Sequence, residues 1–120
     1  MLKTDNLIQI KSYDFAIRIV KLYKYLIEKK KEFVLSKQIL RSGTSIGANV
    51  EEALGGQSRA DFISKLAVAY KEARETQYWI RILRDTNYIT KKQAMSILED
   101  INEILRIIAK IQITTKKKNP

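Results

Sequence analysis

Four acidic residues are the natural place to look for catalysis in this chain. Glu51 and Glu52 are adjacent, and Glu72 and Glu75 lie three residues apart. Paired carboxylates can hold a metal ion or work as acid and base. The same residues suit ion pairing: Glu75 lies four residues from Lys71, while Glu72 reaches Arg59 or Lys65 only through the fold. The chain contains no His and no Cys. This removes the Ser-His-Asp triad, the Cys nucleophile, the usual zinc site and the disulfide framework. The Glu-x-x-His pairs of ferritin-like di-iron bundles are removed as well. The expectation is a protein that is not an enzyme and that needs neither cofactor nor metal.

Cations offer a second kind of chemistry. Lys and Arg number 23 against 13 Asp and Glu, a formal net charge of +10. Such an excess suits a polyanionic partner, whether nucleic acid or an anionic membrane; plain solvation of the surface is the alternative. Arg18, Lys21 and Lys24 fall on one side of a predicted helix over 12–31, opposite the row from Phe15 to Leu26. Lys29, Lys30 and Lys31 end that helix, where cations complement its dipole. Arg74, Arg81 and Arg84 lie along a later helix, and Lys116, Lys117 and Lys118 close the sequence. Rows of this kind suit phosphates, because bound Lys and Arg release condensed counterions. Tyr78 and Trp79 are neighbours and so point to different faces. Rim packing, a subunit interface or stacking on bases each fit them.

These residues must be placed by helices. Only 4 Gly and 1 Pro occur, the Pro at position 120, so little in the interior forbids helix. In the helix over 12–31, capped by Ser12 or Asp14, Phe15, Ile19, Leu22 and Leu26 recur at helical spacing. A second helix over 34–54, with Ser36 as its cap, carries the row Leu40, Gly43, Gly47, Val50 and Leu54. Two glycines in that row imply close approach of a neighbouring helix, or else a break near Gly43. Gly55-Gly56 ends it, with glycine in the left-handed position common at helix C-termini.

The third helix, over 58–86, opens on the cap-like Ser58-Arg59-Ala60-Asp61. It sustains a heptad seam through Phe62, Leu66, Ala69, Ala73, Thr76, Ile80 and Leu83. The fourth, over 90–114, opens on the capping box Thr90-Lys91-Lys92-Gln93 and repeats Ile97, Ile101, Ile104, Ile108 and Ile111; a frayed basic tail over 115–120 follows. Short connections make consecutive helices antiparallel neighbours. The predicted fold is all-α, an up-down-up-down antiparallel four-helix bundle forming a single domain over 1–120. In mid-helix, Asn49 reads as a satisfied polar residue that fixes helix register or assembly. No apolar run approaches a membrane span, and the first ten residues lack a signal-peptide core, so a cytoplasmic protein without membrane contact is expected.

The stretch Arg41-Ser42-Gly43-Thr44-Ser45-Ile46-Gly47-Ala48-Asn49-Val50-Glu51-Glu52-Ala53 resembles a signature of the 23S rRNA intervening-sequence proteins, a four-helix bundle family. Ala73-Arg74-Glu75-Thr76-Gln77-Tyr78-Trp79-Ile80-Arg81-Ile82-Leu83 is also similar to that family, and the resemblance runs roughly over 13–111. Ser45, Ile46 and Asn49 carry its most specific part. Gly47 and Ala53 depart from it, since many members have Pro and Gly there. The resemblance implies an up-down bundle and a ring-like homopentamer. It extends to the accessory proteins of diversity-generating retroelements, which are basic and bind nucleic acid. Together these readings give a non-enzymatic oligomeric module binding nucleic acid, RNA ahead of DNA. Arg18, Lys21, Lys24, Lys29, Lys30, Lys31, Arg74, Arg81, Lys116, Lys117 and Lys118 are the expected phosphate contacts, and Tyr78 and Trp79 the expected oligomer interface. The alternative is a scaffold that docks an acidic protein.

Overall fold

The computed structural model describes residues 3–117, with side chains over 5–116. Four helices follow in order: α1 (Lys3–Glu28), α2 (Leu35–Leu54), α3 (Arg59–Asp85) and α4 (Lys91–Lys117). Each packs on its chain neighbours, and α4 closes against α1. The result is the up-down-up-down antiparallel bundle, 51 × 22 × 19 Å in extent. No helix among the described residues is long and apolar enough to cross a membrane.

Isoleucine dominates the core. Ile8, Ile19, Ile39, Ile46, Ile80, Ile101, Ile104 and Ile108 are all essentially excluded from solvent. Each removes about 1.5–3 kcal/mol worth of apolar surface from water. The predicted seam of α3 is buried through Leu66, Ala69, Ala73, Thr76, Ile80 and Leu83, while Phe62 is half-buried at its start. A buried hydroxyl pair interrupts it: Thr76 Oγ1 lies 3.0 Å from Ser42 Oγ on α2.

α1 begins well before position 12. Ile8 and Ser12 are buried in register with Phe15, Ile19 and Leu26, so the core stripe extends two turns further back. Ser12 is not a cap; its hydroxyl donates to the Gln9 carbonyl in mid-helix. At the other end α1 stops at Glu28. Lys29, Lys30 and Lys31 lie in the connection to α2, with Lys31 in the left-handed region at φ 53°. Likewise α4 continues to Lys117 instead of fraying from 115, and Lys118 to Pro120 lie outside the described residues.

α2 is unbroken, and its glycines meet α1. A Cβ on Gly43 would lie 2.7 Å from Ile19 Cγ1, and one on Gly47 would lie 3.2 Å from the Ser12 carbonyl oxygen. Ser36 does not cap this helix. Glu32, buried in the connection, accepts hydrogen bonds from the backbone N–H groups of Val34 (3.3 Å), Leu35 (3.1 Å) and Ser36 (2.7 Å). At the far end no glycine is left-handed; Gly55 has φ −89°.

The remaining termini follow local rules. Ser58 Oγ accepts from the Asp61 N–H at 3.0 Å. Thr90 and Gln93 exchange hydrogen bonds, Gln93 N–H to Thr90 Oγ1 at 3.1 Å and Thr90 N–H to Gln93 Oε1 at 2.8 Å. α3 ends in a Schellman turn: Asn87 is left-handed at φ 66°, and the Tyr88 N–H donates to the Leu83 carbonyl at 2.9 Å.

Candidate nucleic-acid interface

The signature residues Ser45, Ile46 and Asn49 of α2 are buried or bond within their own helix. Ile46 is fully buried. The Ser45 hydroxyl donates to the Arg41 carbonyl at 2.6 Å, and Asn49 Nδ2 donates to the Ser45 carbonyl at 2.8 Å. Asn49 is only half-buried and bonds within its own helix, so it does not bridge helices as a register-fixing Asn would. Such back-bonding satisfies short polar side chains inside a helix. Glu51 accepts from Gln9 Nε2 at 3.1 Å, which ties α2 to α1.

Arg41, on the same helix, organises the carboxylates of α3. Its guanidinium donates to Glu72 Oε2 at 2.8 Å and, through its other terminal nitrogen, to Glu75 Oε2. Glu75 also accepts from Trp79 Nε1 at 3.0 Å. The Trp79 indole N–H and then Arg41 hold the Glu75 carboxyl below the usual range, outweighing burial, which pushes it up. The bond to Glu75 raises Arg41 in turn, against the effect of its own burial. Glu72 thus pairs with Arg41, and Lys65 pairs with Glu52 at 3.8 Å.

The seam between α1 and α4 is ionic too. Lys11 pairs with Glu103 at 3.0 Å and Arg18 with Asp100 at 2.6 Å. Arg18 also donates to the Ser96 carbonyl and hydroxyl. It faces α4 and stands apart from Lys21 and Lys24, which are exposed on the outer side of α1. A cavity of about 210 Å³ beside these pairs is lined by Asp14, Asp100 and Glu103. Among the described residues no group of three or more carboxylates is placed to hold a metal ion.

The predicted cations therefore separate into kinds. Arg18 is committed to a seam. Lys30 sits 5.9 Å over the Tyr25 ring, a weak cation–π contact. Lys21, Lys24, Lys29, Lys31, Arg74, Arg81 and Lys116 are exposed. None of these seven forms an ion pair among the described residues. The side chain of Lys117, and Lys118 entirely, lie outside the described residues. Arg74, Tyr78 and Arg81 share the outer face of α3, with Arg81 Cζ 6.0 Å from the centre of the Tyr78 ring. Tyr78 is half exposed, whereas Trp79 turns inward to Glu75 and meets the Tyr78 ring edge-on, centroids 5.2 Å apart.

One surface escaped the sequence reading. Leu7, Ile10, Tyr13 and Ile17 form an exposed apolar row on the outer side of α1, with Ile10 58% and Tyr13 63% accessible. Their spacing of three, three and four was the available signal. It was hidden by starting the first helix at 12.

The comparisons come to the same fold. Residues 4–110 match the 23S rRNA-intervening sequence protein family. A crystal structure from Bacteroides thetaiotaomicron VPI-5482, of a protein with unknown function from the S23 ribosomal protein family, superposes with a TM-score of 0.90 at 57% identity. The match covers 91% of this chain and 97% of that one. No curated protein matches. With a family match over nearly its whole length and the bundle to accompany it, this chain belongs to the 23S rRNA-intervening sequence protein family.

Proposed function

We propose that the protein is a non-enzymatic, homo-oligomeric helical module that binds nucleic acid, RNA ahead of DNA, through its outer basic rows. One observation carries the reading. The ion pairs of α1 with α4 and of α2 with α3 gather acidic groups on the seams, while Lys21 and Lys24 on α1 and Lys71, Arg74 and Arg81 on α3 are exposed and form no ion pair among the described residues. Phosphates bind such rows with release of counterions. The family's name, with its reference to rRNA, favours RNA by analogy alone.

Self-association is supported by the apolar row of α1. A run of large exposed apolar side chains on one helix marks a protein contact, and the ring implied by the family resemblance would cover it. Light scattering checks this part: a mass several times 13.9 kDa is expected, falling when Ile10 and Tyr13 are replaced by Glu. A monomer in the unsubstituted protein would overturn it.

Binding itself is tested by fluorescence anisotropy against single-stranded RNA, duplex RNA and duplex DNA across a salt series. A protein of equal charge and different fold serves as control. Affinity at least about tenfold above the control is expected, with log K falling steeply against log salt. Reversing Lys21 and Lys24 should flatten that slope. Affinity equal to the control's would leave the charge as a solubility device, and the alternative, a scaffold for an acidic protein, would take its place.

A further inference from the structure

We propose that the outer row of α3 is a single-strand site, in which Tyr78 stacks on an unpaired base while Arg74 and Arg81 hold the flanking phosphates. The inference rests on the nucleic-acid reading above and narrows it to a ligand class and a residue.

Position comes first. Lys71, Arg74, Tyr78 and Arg81 step by three, four and three, so they line one face of α3 over about 15 Å. That face looks away from the core: Lys71, Arg74 and Arg81 are exposed and Tyr78 is 50% accessible. Charge comes next. Glu72 and Glu75 lie on the same helix and would neutralise the row if they turned outward. Arg41 reaches across from α2 and binds both, which keeps the acidic groups on the seam side. The cations of the row are left without an ion pair among the described residues.

Rigidity comes third. A stacking platform must hold its ring still. Trp79 packs edge-on against Tyr78, and its indole N–H is tied to Glu75, itself tied to Arg41. The Arg81 guanidinium also lies near the ring, 6.0 Å from its centre. Space comes last. A hollow of about 250 Å³ beside the ring, lined by Tyr78, Arg81, Ile82, Asp85 and Thr86, is large enough for a nucleobase. Asp85 there is paired with Arg84 at 2.7 Å and is also stabilised by Arg81, so its charge is partly offset. A duplex hides the faces of its bases, and only an unpaired base can lie on the ring.

The test compares the whole protein with its Tyr78→Ala and Tyr78→Phe variants. The probes are an unpaired pyrimidine RNA oligonucleotide and an RNA duplex of the same length. Light scattering on each variant and emission from Trp79, the only tryptophan, run alongside. The expected result is at least about fivefold weaker binding of the unpaired probe by Tyr78→Ala, with duplex binding nearly unchanged and Tyr78→Phe close to the original. Trp79 emission should change on adding the unpaired probe and not the duplex. Equal loss on both probes, or no loss on either, overturns the stacking site while leaving the nucleic-acid reading in place. Dissociation of the oligomer by Tyr78→Ala makes Tyr78 a subunit contact and overturns it as well. If the unsubstituted protein binds no better than the equal-charge control, both readings fall together.

Discussion

Replacing Gly43 by Ala should destabilise the bundle, although the same change stabilises an ordinary helix. In a free helix interior Ala is favoured over Gly by about 1 kcal/mol. Here the new Cβ would lie 2.7 Å from Cγ1 and 2.8 Å from Cγ2 of Ile19, distances at which one group must move. Ile19 cannot easily yield, being fully buried and branched at Cβ. Overpacking of this kind costs about 1–3 kcal/mol, so the net effect is a loss of about 0–2 kcal/mol. A double-mutant cycle isolates the contact. Ile19→Ala alone should cost about 2–5 kcal/mol, since it empties a core site. It also removes the two nearest carbons and leaves only Cβ, 3.2 Å from the new group, which a shift of the shortened side chain relieves, so Gly43→Ala in that background should stabilise by up to about 1 kcal/mol. The sign of one substitution thus inverts with its neighbour, a coupling of about 1–3 kcal/mol. Urea unfolding followed by far-ultraviolet circular dichroism reads this as midpoint shifts of about 0.5–1 M in opposite directions. All samples must share one protein concentration, because association shifts apparent stability. A raised midpoint for Gly43→Ala in the unsubstituted protein would refute the claim that these glycines exist for the approach of α1 to α2.

Other consequences concern single side chains. Glu32→Ala should cost about 1–3 kcal/mol at neutral pH, because three backbone N–H groups at the start of α2 lose their acceptor. Burial pushes the Glu32 carboxyl up, but those hydrogen bonds prevail and its pKa is lowered on folding. Its contribution is therefore complete above the unfolded value, about 4.3, and disappears as pH falls through the lowered folded value; a stability gap that persisted unchanged at the acid end would contradict this. Arg41→Ala should cost about 1–3 kcal/mol by leaving the nearly buried Glu72 unpaired. It should also move the acid-side midpoint of Trp79 emission to higher pH, since Glu75 loses a cation that lowers it; an unmoved midpoint would detach Arg41 from the network. Thr90→Ala should cost about 1 kcal/mol and lower the thermal midpoint by about 4 °C, with Gln93→Ala adding little more because the two bonds form one box.

What could be read from the sequence was local or periodic. The Thr90–Gln93 box and the Ser58 cap depend on residues three apart, and the seam of α3 on spacing alone. Ser12 misled because a small polar residue before an apolar run looks like a cap. It is buried instead because the Gly47 surface admits only a small side chain there. The start of α2 was missed because its anchoring carboxylate comes from Glu32, four residues before Ser36, in a connection with no periodic pattern. The glycines announced a close approach, yet only the fold could name Ile19 and Ser12 as the neighbours. The candidate site follows the same division. Exposure of Lys21, Lys24, Arg74 and Arg81 follows from helical phase, but Arg18 has the same phase signal and is claimed by Asp100, 82 residues away.

That difference between Arg18 and Lys21 alters what the net charge means. A charge of +10 spread evenly would be screened within about one Debye length and would favour any polyanion weakly. In this bundle the ion pairs run along the seams, and acidic side chains from α3 and α4 are drawn to them. Burying or pairing an acid on a seam does not change the total charge, but it removes the acid from the outer faces. The cations that form no ion pair among the described residues then lie in rows a helical turn apart, at Lys21 and Lys24 on α1 and at Lys71, Arg74 and Arg81 on α3. Arg41 is central to this arrangement although it need touch no ligand. Its removal should free Glu72 and Glu75 to compete for the row on α3, so weaker nucleic-acid binding by Arg41→Ala, with an untouched row, is what this electrostatic argument requires.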